Sequence, residues 1–511
     1  MSIRKIWKAG TLAALLLLSA CTPKSEYTNA LPKDASMVVA MELDAMARKA
    51  GLNGATGEKA IAKLKGLVKG GLQGEAARLA ERIIERPSET GLDFDEKLYF
   101  FTTPHASALS ILAKVDDEGK METLFETLEK ESIANPLREE SGCRWTQVGG
   151  ALCAFNGGTF LLMQPSKGDA MSLKGMLLSL MRQRDGEGFA SLPEFTKVEA
   201  EGNDIASVVN LSAVPYNMTT RLRMGLSADI RLEDIKYFLS ANFGQGKVTV
   251  NSESLIQSPK VLSFFDAMNQ VMQPLEGRYL DYYQGNTMLW MGGRVKGKEL
   301  YKKLCTNPAI KQMLDNPPLP VDVERIFSAI DGEVALGCEN LTTGNYLLYA
   351  DVTGSSFLQT FEDLRPLLAL TGGQITLDRV GENAYLMRTY YGYFWFGVTN
   401  NRLYVTTNST WAKEVGRTFG ASLSRKPWVA DAKQNRIHAS LNLAELNAIL
   451  NKYKNVQLFG SQQAGTFAKL FLKNLDVLNV SMTDWQHGKL EIVLQDKDAN
   501  LLQLWASELK K

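Results

Sequence analysis

Two turns 242 residues apart constrain this chain more than any other feature. Gly149-Gly150 lies between the runs Arg144–Val148 and Ala151–Phe155, and Tyr391-Gly392 lies between Ala384–Tyr390 and Tyr393–Val398. In each place a third run follows, Thr159–Met163 after Asn156-Gly157 and Arg402–Thr406 after Asn400-Asn401. Short apolar runs broken by Gly and Asn read as antiparallel meanders, because tight hairpin turns require positive φ. Gly246-Lys247-Val248 answers Gly488-Lys489-Leu490, again 242 residues on. "SILAKVD" answers "LLYADVT", and "ASVVNLSAV" answers "IHASLNLAEL", which sets Asn210 against Asn442. Ordered matches at one approximate spacing argue for a tandem duplication.

Helical patterns fall between these runs, at 58–69, 74–85, 121–128, 173–183, 261–272, 298–304, 357–364, 412–418, 444–452 and 500–509. Irregular alternation of helices with hairpins favours an α+β fold. The expected architecture is a tandem duplication of a mainly antiparallel sheet with helices packed on one face. The first repeat spans residues 31–277 and the second 278–511.

The N-terminus carries an address. Arg4, Lys5 and Lys8 precede an apolar run from Leu12 to Leu18, and Leu18-Ser19-Ala20-Cys21 closes it. A basic head, a short apolar core and a small-residue cleavage site define a secretory signal peptide, here residues 1–20. The ending resembles the bacterial lipobox, which makes Cys21 the first mature residue and the site of lipid attachment. Residues 21–30 then read as a tether. No second apolar run of about 18 residues follows, so a lipid anchor is the expected membrane contact. Lys+Arg is 57 against Asp+Glu 56, and removing Arg4, Lys5 and Lys8 takes the net charge from +1 to 1 − 3 = −2. A near-neutral body has no global electrostatic footprint for nucleic acid.

The remaining cysteines are Cys143, Cys153, Cys305 and Cys338. Cys143 and Cys153 are close enough in sequence to bridge neighbouring strands as a disulfide in an exported protein. The other reading is four small buried hydrophobes. No C-x-x-C spacing is present, and no cofactor is expected. Gly292-Gly293-Arg294-Val295-Lys296-Gly297-Lys298 fits the phosphate-loop pattern, but Glu299 stands where Ser or Thr should hold magnesium. Asp116-Asp117-Glu118 opens a helix, where carboxylates complement the dipole. His105, His438 and His487 are scattered, and no G-x-S-x-G elbow nominates a nucleophile.

The sharpest positive feature is aromatic. Tyr390, Tyr391, Tyr393, Phe394, Trp395 and Phe396 crowd one hairpin. Alternation places Tyr393 and Trp395 on one face and Phe394 and Phe396 on the other. Tyr391, Tyr393 and Trp395 are the candidate ligand platform, since such rings stack on the apolar faces of sugars. Cross-strand packing within a sheet is the competing reading. Tyr279, Tyr282 and Tyr283 form a second aromatic patch, with inter-domain packing as its alternative.

The lipobox, the opening "LPKDASMVVAMELDAMARKAGL" and the later "RPSETGLDFDEKLYFF" resemble an uncharacterised family of Bacteroidota lipoproteins, domain of unknown function 4836. The resemblance implies a lipid-anchored envelope protein, most simply at the outer membrane, and supplies no catalytic residues. The expected function is a non-catalytic binding or scaffold lipoprotein with envelope protein partners. A glycan- or small-ligand-binding surface lipoprotein and an exported hydrolase are the alternatives. Both the periplasmic face and the cell surface stay open as its location.

Overall fold

Alternating burial builds the first ladder. In β1 (Met37–Met41) Val38 and Ala40 point inward, and in β2 (Leu98–Thr102) Tyr99 and Phe101 do the same. The computed structural model describes residues 26–52, 78, 81, 85–104, 108–214, 231–317, 319–340, 344–452 and 472–508. The chain forms two compact units, Met1–Val209 with Leu509–Lys511, and Asn210–Glu508. The expected repeat boundary at 277/278 falls inside the second unit. Cys21 and the expected helices at 58–69 and 74–85 lie outside the described residues, apart from 78, 81 and 85.

The first unit continues with β3 (Ala108–Lys114), β4 (Arg138–Glu140), β5 (Cys143–Val148), β6 (Ala151–Phe155), β7 (Thr159–Pro165) and β8 (Ile205–Asn210). Antiparallel pairing gives the order β4-β5-β6-β7-β3-β2-β1-β8. The helix Glu118–Lys130 starts where the Asp117 carboxylate accepts from the Lys120 amide. Its Met121 and Phe125 pack on Cys153 and Phe155. That run of acids is a helix cap.

The tether expectation fails at residues 26–30. Glu26–Ala30 is a 3-10 turn with Tyr27 and Ala30 buried. The Tyr27 hydroxyl donates to the Lys97 carbonyl at 2.9 Å, and its ring lies 5.9 Å from that of Tyr99. A polar composition suggested a loose segment, but one tyrosine with a distant pocket is enough to tie it down.

The second unit contains β9 (Ile235–Gly244), β10 (Lys247–Ile256), β11 (Met272–Gln273), β12 (Leu289–Lys296), β13 (Ile330–Asn340) and β14 (Asn345–Val352). It continues with β15 (Thr376–Gly381), β16 (Ala384–Thr389), β17 (Gly392–Thr399), β18 (Arg402–Thr406), β19 (Ile437–Asn442), β20 (Leu475–Met482) and β21 (His487–Leu494). Pairing runs β15-β16-β17-β18-β14-β13-β12-β19, then β20-β21-β10-β9, all antiparallel. From β15 to β19 this repeats the order of β4 to β8. Asn210 and Asn442 end equivalent strands, and each side chain caps the helical turn that follows.

The fold is therefore α+β and mainly antiparallel, but helices do not cover one face only. In β14, Leu347 and Tyr349 enter a cluster with Leu280, Leu423, Val429 and Ala432 from helical segments. Ala350 and Val352 enter another with Phe357, Leu358, Leu364 and Leu368. A strand apolar on both sides needs cover on both. Among the described residues no helix is long and apolar enough to cross a membrane.

Candidate functional site

Register places a polar row across five strands of the second unit. Asn242 faces Thr249, Thr249 faces Glu491, Glu491 faces Asn479, and Asn479 faces Ser440. Period-two alternation adds Lys247, Lys489, Ser481 and His438 to that face and turns Val248, Val250, Leu478, Val480, Leu490 and Ile492 to the other. Burial in β20 is the reverse of the usual pattern. Asn479 and Ser481 are 3% and 1% exposed, whereas Val480 is 40% exposed.

At β19 and β20 the polar face is buried because a short segment roofs it. The turn Leu423–Arg425 and helix Val429–Ala432 bring Trp428 and Asp431 over the strands. Lys489 Nζ donates to Asp431 Oδ1 at 2.6 Å, and Thr483 Oγ1 donates to Asn435 Oδ1 at 2.9 Å. Two adjoining cavities of about 410 and 390 Å³ remain, with Asp431 and Lys489 lining both. In the larger one Lys247 pairs with Glu491 at 2.7 Å, and Lys497 pairs with Asp476 at 2.9 Å. Trp428 and Pro427 form its apolar wall. Asn479 is among its lining residues, but its Oδ1 is sealed from the cavity and without a hydrogen-bond partner. Leaving such an acceptor unsatisfied costs about 1–3 kcal/mol. Alternating donors and acceptors beside an aromatic wall suit a small polar ligand.

His438 lies beside this site and resembles part of a triad. Its Nδ1 is 2.9 Å from Ser481 Oγ, which donates to Asp431 Oδ2 at 3.4 Å. The tautomer decides whether Nδ1 or Oγ carries the hydrogen they share, and a serine that donates to Asp431 is not held by the imidazole as a nucleophile would be. Ser481 is also sealed from solvent. Burial lowers the His438 pKa to about 4 against the opposing pull of Asp431. The ring stacks on Trp428 at 4.8 Å, and its Nε2 is buried without a partner. His438 thus holds the roof and the sheet together. His487 bonds Asp484 within its own turn, and His105 lies outside the described residues.

The other sequence candidates are dispersed. Tyr393 and Trp395 share a face with ring centroids 6.0 Å apart, and Tyr393 is 56% exposed. Tyr390 and Tyr391, in the turn, are 92% and 90% exposed. On the opposite face Phe396 packs on Phe361 and Tyr385 in the core. Tyr279 and Tyr283 are core residues, and the Tyr283 hydroxyl donates to the Ala335 and Leu347 carbonyls. Gly292–Lys296 is strand, not loop, paired with β13 throughout and on its other edge with β19 and then β11 as far as Val295. Gly297 is required because a Cβ there would stand 2.1 Å from the Phe327 carbonyl oxygen.

The expected disulfide does not form. Cys143 and Cys153 are both free. Cys153 faces Thr146 in the β5/β6 pair, so it shares the face of Thr146, and Cys143, three residues earlier, points to the other. Burial raises the Cys153 thiol to about 12. Among the described residues no group of three or more His, Cys, Asp or Glu side chains could hold a metal ion.

Sequence reasoning missed Trp428, Asp431, Asn479 and Glu491. Only one signal pointed to them: polar residues at every second position of β20 and β21, a pattern that also describes an ordinary solvated face.

The model of a family described as "Domain of unknown function (DUF4836)" matches residues 27–502. No curated protein matches the chain. Among solved structures, crystal form IV of TP0453 is 10% identical with a TM-score of 0.27, covering 44% of this chain and 79% of that one. Crystal form III is 10% identical at 0.28, covering 48% and 88%. Crystal form I is 11% identical at 0.28, covering 50% and 89%. A likeness at that level assigns neither fold nor function.

Proposed function

Because the chain belongs to the DUF4836 family, whose function is unknown, we propose from its own site that it is a non-catalytic binding lipoprotein of the cell envelope. The groove under Trp428 and Asp431 is its binding site for a small polar ligand. One observation carries this reading: three ion pairs, Lys247–Glu491, Lys489–Asp431 and Lys497–Asp476, line a cavity of about 410 Å³ beside Trp428. Paired charges around an apolar wall offer a polar ligand both donors and acceptors. The test follows tryptophan fluorescence and melting temperature of the mature protein against saccharides, amino acids and organic acids. Lys247→Gln with Lys489→Gln should abolish the response. Silence across all three classes would end the reading.

The anchor is part of the proposal. Arg4, Lys5, Lys8, the Leu12–Leu18 run and the Leu18-Ser19-Ala20-Cys21 ending support lipid attachment at Cys21 and an outer-membrane location. Cys21→Ala should move the protein from the detergent-rich to the aqueous phase on Triton X-114 partition. Equal partition of both forms would remove the anchor. Protease treatment of intact cells distinguishes the surface from the periplasmic face, and crosslinking there would identify envelope protein partners.

A tandem duplication of the sheet is the proposed origin of the fold. The four ordered sequence matches and the recurring strand order support it. A second binding reading rests on the exposed hairpin tip, where Tyr391, Tyr393 and Trp395 would stack on a glycan. Tyr391→Ala with Tyr393→Ala would remove glycan binding without touching the groove. Retained glycan binding in that double variant would exclude the tip.

A further inference from the structure

We infer that the second unit holds a separate site for a long alkyl chain, the tail of a fatty acid or of another amphiphile, on the face of the sheet opposite the groove. Strand register builds its floor. Leu239 faces Ser252 across β9/β10, Ser252 faces Gly488 across β10/β21, and Gly488 faces Met482 across β20/β21. The two middle members of this row are a serine and a glycine, so side chains are sparse where it crosses β10 and β21. A Cβ at Gly488 would stand 2.8 Å from Ser252 Oγ. The next row, Val250, Leu490 and Val480, is apolar. A trough therefore crosses four strands, and at the usual spacing between neighbours it is about 14 Å long.

Helix Pro259–Val271 walls the trough with Phe264, Phe265 and Met268. The turn after β20 is fixed to that helix: the Trp485 amide donates to Asn269 Oδ1 at 2.9 Å, and the Trp485 ring lies 6.3 Å from that of Phe265. Floor and walls enclose about 620 Å³. Small-molecule sites span about 300–1,000 Å³, whereas packed interiors leave few voids larger than a water molecule. Leu239, Val250, Met482 and Leu490 are only half-buried, and Val480 is 40% exposed, so their carbon is accessible to a ligand. Ordered water needs roughly two to four polar partners, and apolar side chains make up most of this lining. The charged side chains of the lining are already engaged, Asp484 with His487, and Lys489 with Asp431 on the other face. The site therefore recognises an uncharged chain and leaves its headgroup in water. Met268 and Met482 adapt their shape to a flexible chain.

Displacement of the neutral fluorescent dye N-phenylnaphthylamine from the full-length mature Cys21→Ala protein, which carries no acyl group of its own, tests the inference. Decanoate, dodecanoate, tetradecanoate and dodecanol are titrated below their micelle concentrations. Affinity should rise roughly fourfold per added methylene, and dodecanol should match dodecanoate within about tenfold. Val480→Glu places a charge in the site and should weaken every ligand at least about tenfold, with the melting temperature nearly unchanged. Ser252→Phe fills the trough and should do the same; it decides the matter if the Val480 variant does not fold. Affinity independent of chain length, a stronger preference for acid over alcohol, binding that a folded variant keeps, or binding of none of the four overturns the inference. Co-flotation with phosphatidylcholine vesicles that both variants lose assigns the tail of a bilayer lipid. Absence of flotation, or flotation that the variants keep, assigns a free amphiphile. Both support the inference. The groove is tested apart from this, by its own polar ligands on the other face.

Discussion

Thr249 and Glu491 stand directly opposite each other where β10 pairs with β21, and 242 residues separate them. The same spacing relates Gly246-Lys247-Val248 to Gly488-Lys489-Leu490. The two strands that carry this spacing pair with each other: Lys247 faces Val493 as Asn251 faces Lys489. Asn242 beside Thr249 and Asn479 beside Glu491 extend the relation by one strand on each side. It breaks at the groove. Asn479 is buried with an unsatisfied oxygen, whereas Asn242 is half-buried and not without a partner. The two sides of the β10/β21 pair thus differ in what covers them.

The Thr249/Glu491 contact sets a first expectation. Thr249→Glu puts like charges directly across an antiparallel pair, beside the Lys247–Glu491 bridge. A loss of about 0.5–1 kcal/mol is expected in urea denaturation at low salt, shrinking as salt is added. No loss at low salt would mean the register is wrong.

His438 should give the protein a specific acid sensitivity. Its folded pKa of about 4 lies below the unfolded value, so between roughly pH 6.5 and 4 the unfolded chain binds the extra proton. Stability is therefore complete above that window and falls as pH drops through it, by up to about 3 kcal/mol. His438→Gln should be less stable at neutral pH but should lack this part of the slope. Parallel profiles for the two proteins would refute the assignment.

Gly337 leaves room for a buried tyrosine. A Cβ there would come within 2.4 Å of the Tyr283 ring. Gly337→Ala should displace that ring, break its bonds to Ala335 and Leu347, and cost about 1–3 kcal/mol or more. Chemical denaturation measures it, and Gly354→Ala, where the added carbon meets nothing within 4 Å, is the control.

Cysteine chemistry checks the correction to the disulfide. Cys143, Cys153, Cys305 and Cys338 are all free, so alkylation of the denatured Cys21→Ala protein without reductant should label four thiols. In the native protein half-buried Cys305 should react first. Cys153, buried and with its thiol raised to about 12, should react last. Two labels instead of four would restore the disulfide.

Much of the strand plan was legible because its signals are local. Hairpin turns at Gly149-Gly150 and Tyr391-Gly392 and the alternation in β5 to β7 and β16 to β18 are set by neighbours in sequence. The Tyr27 anchor was not legible, because its partners Lys97 and Tyr99 lie some 70 residues away. Nor was the separation of Cys143 from Cys153. Ten residues apart suggested a bridge, but only the β5/β6 register decides which face each side chain takes.

The sequence by itself determined where strands turn, which segments recur, and which side chains share a face, since all three follow from backbone periodicity. Only the tertiary structure decided which face would be covered. Nothing in "LDVLNVSM" says that Asn479 and Ser481 will be buried while Val480 is left exposed. That depends on residues 423–432 closing over β20 from some 50 residues away, where Asp431 meets Lys489 and Trp428 meets His438. Burial is a property of what arrives from elsewhere in the chain, and a strand carries no record of its cover.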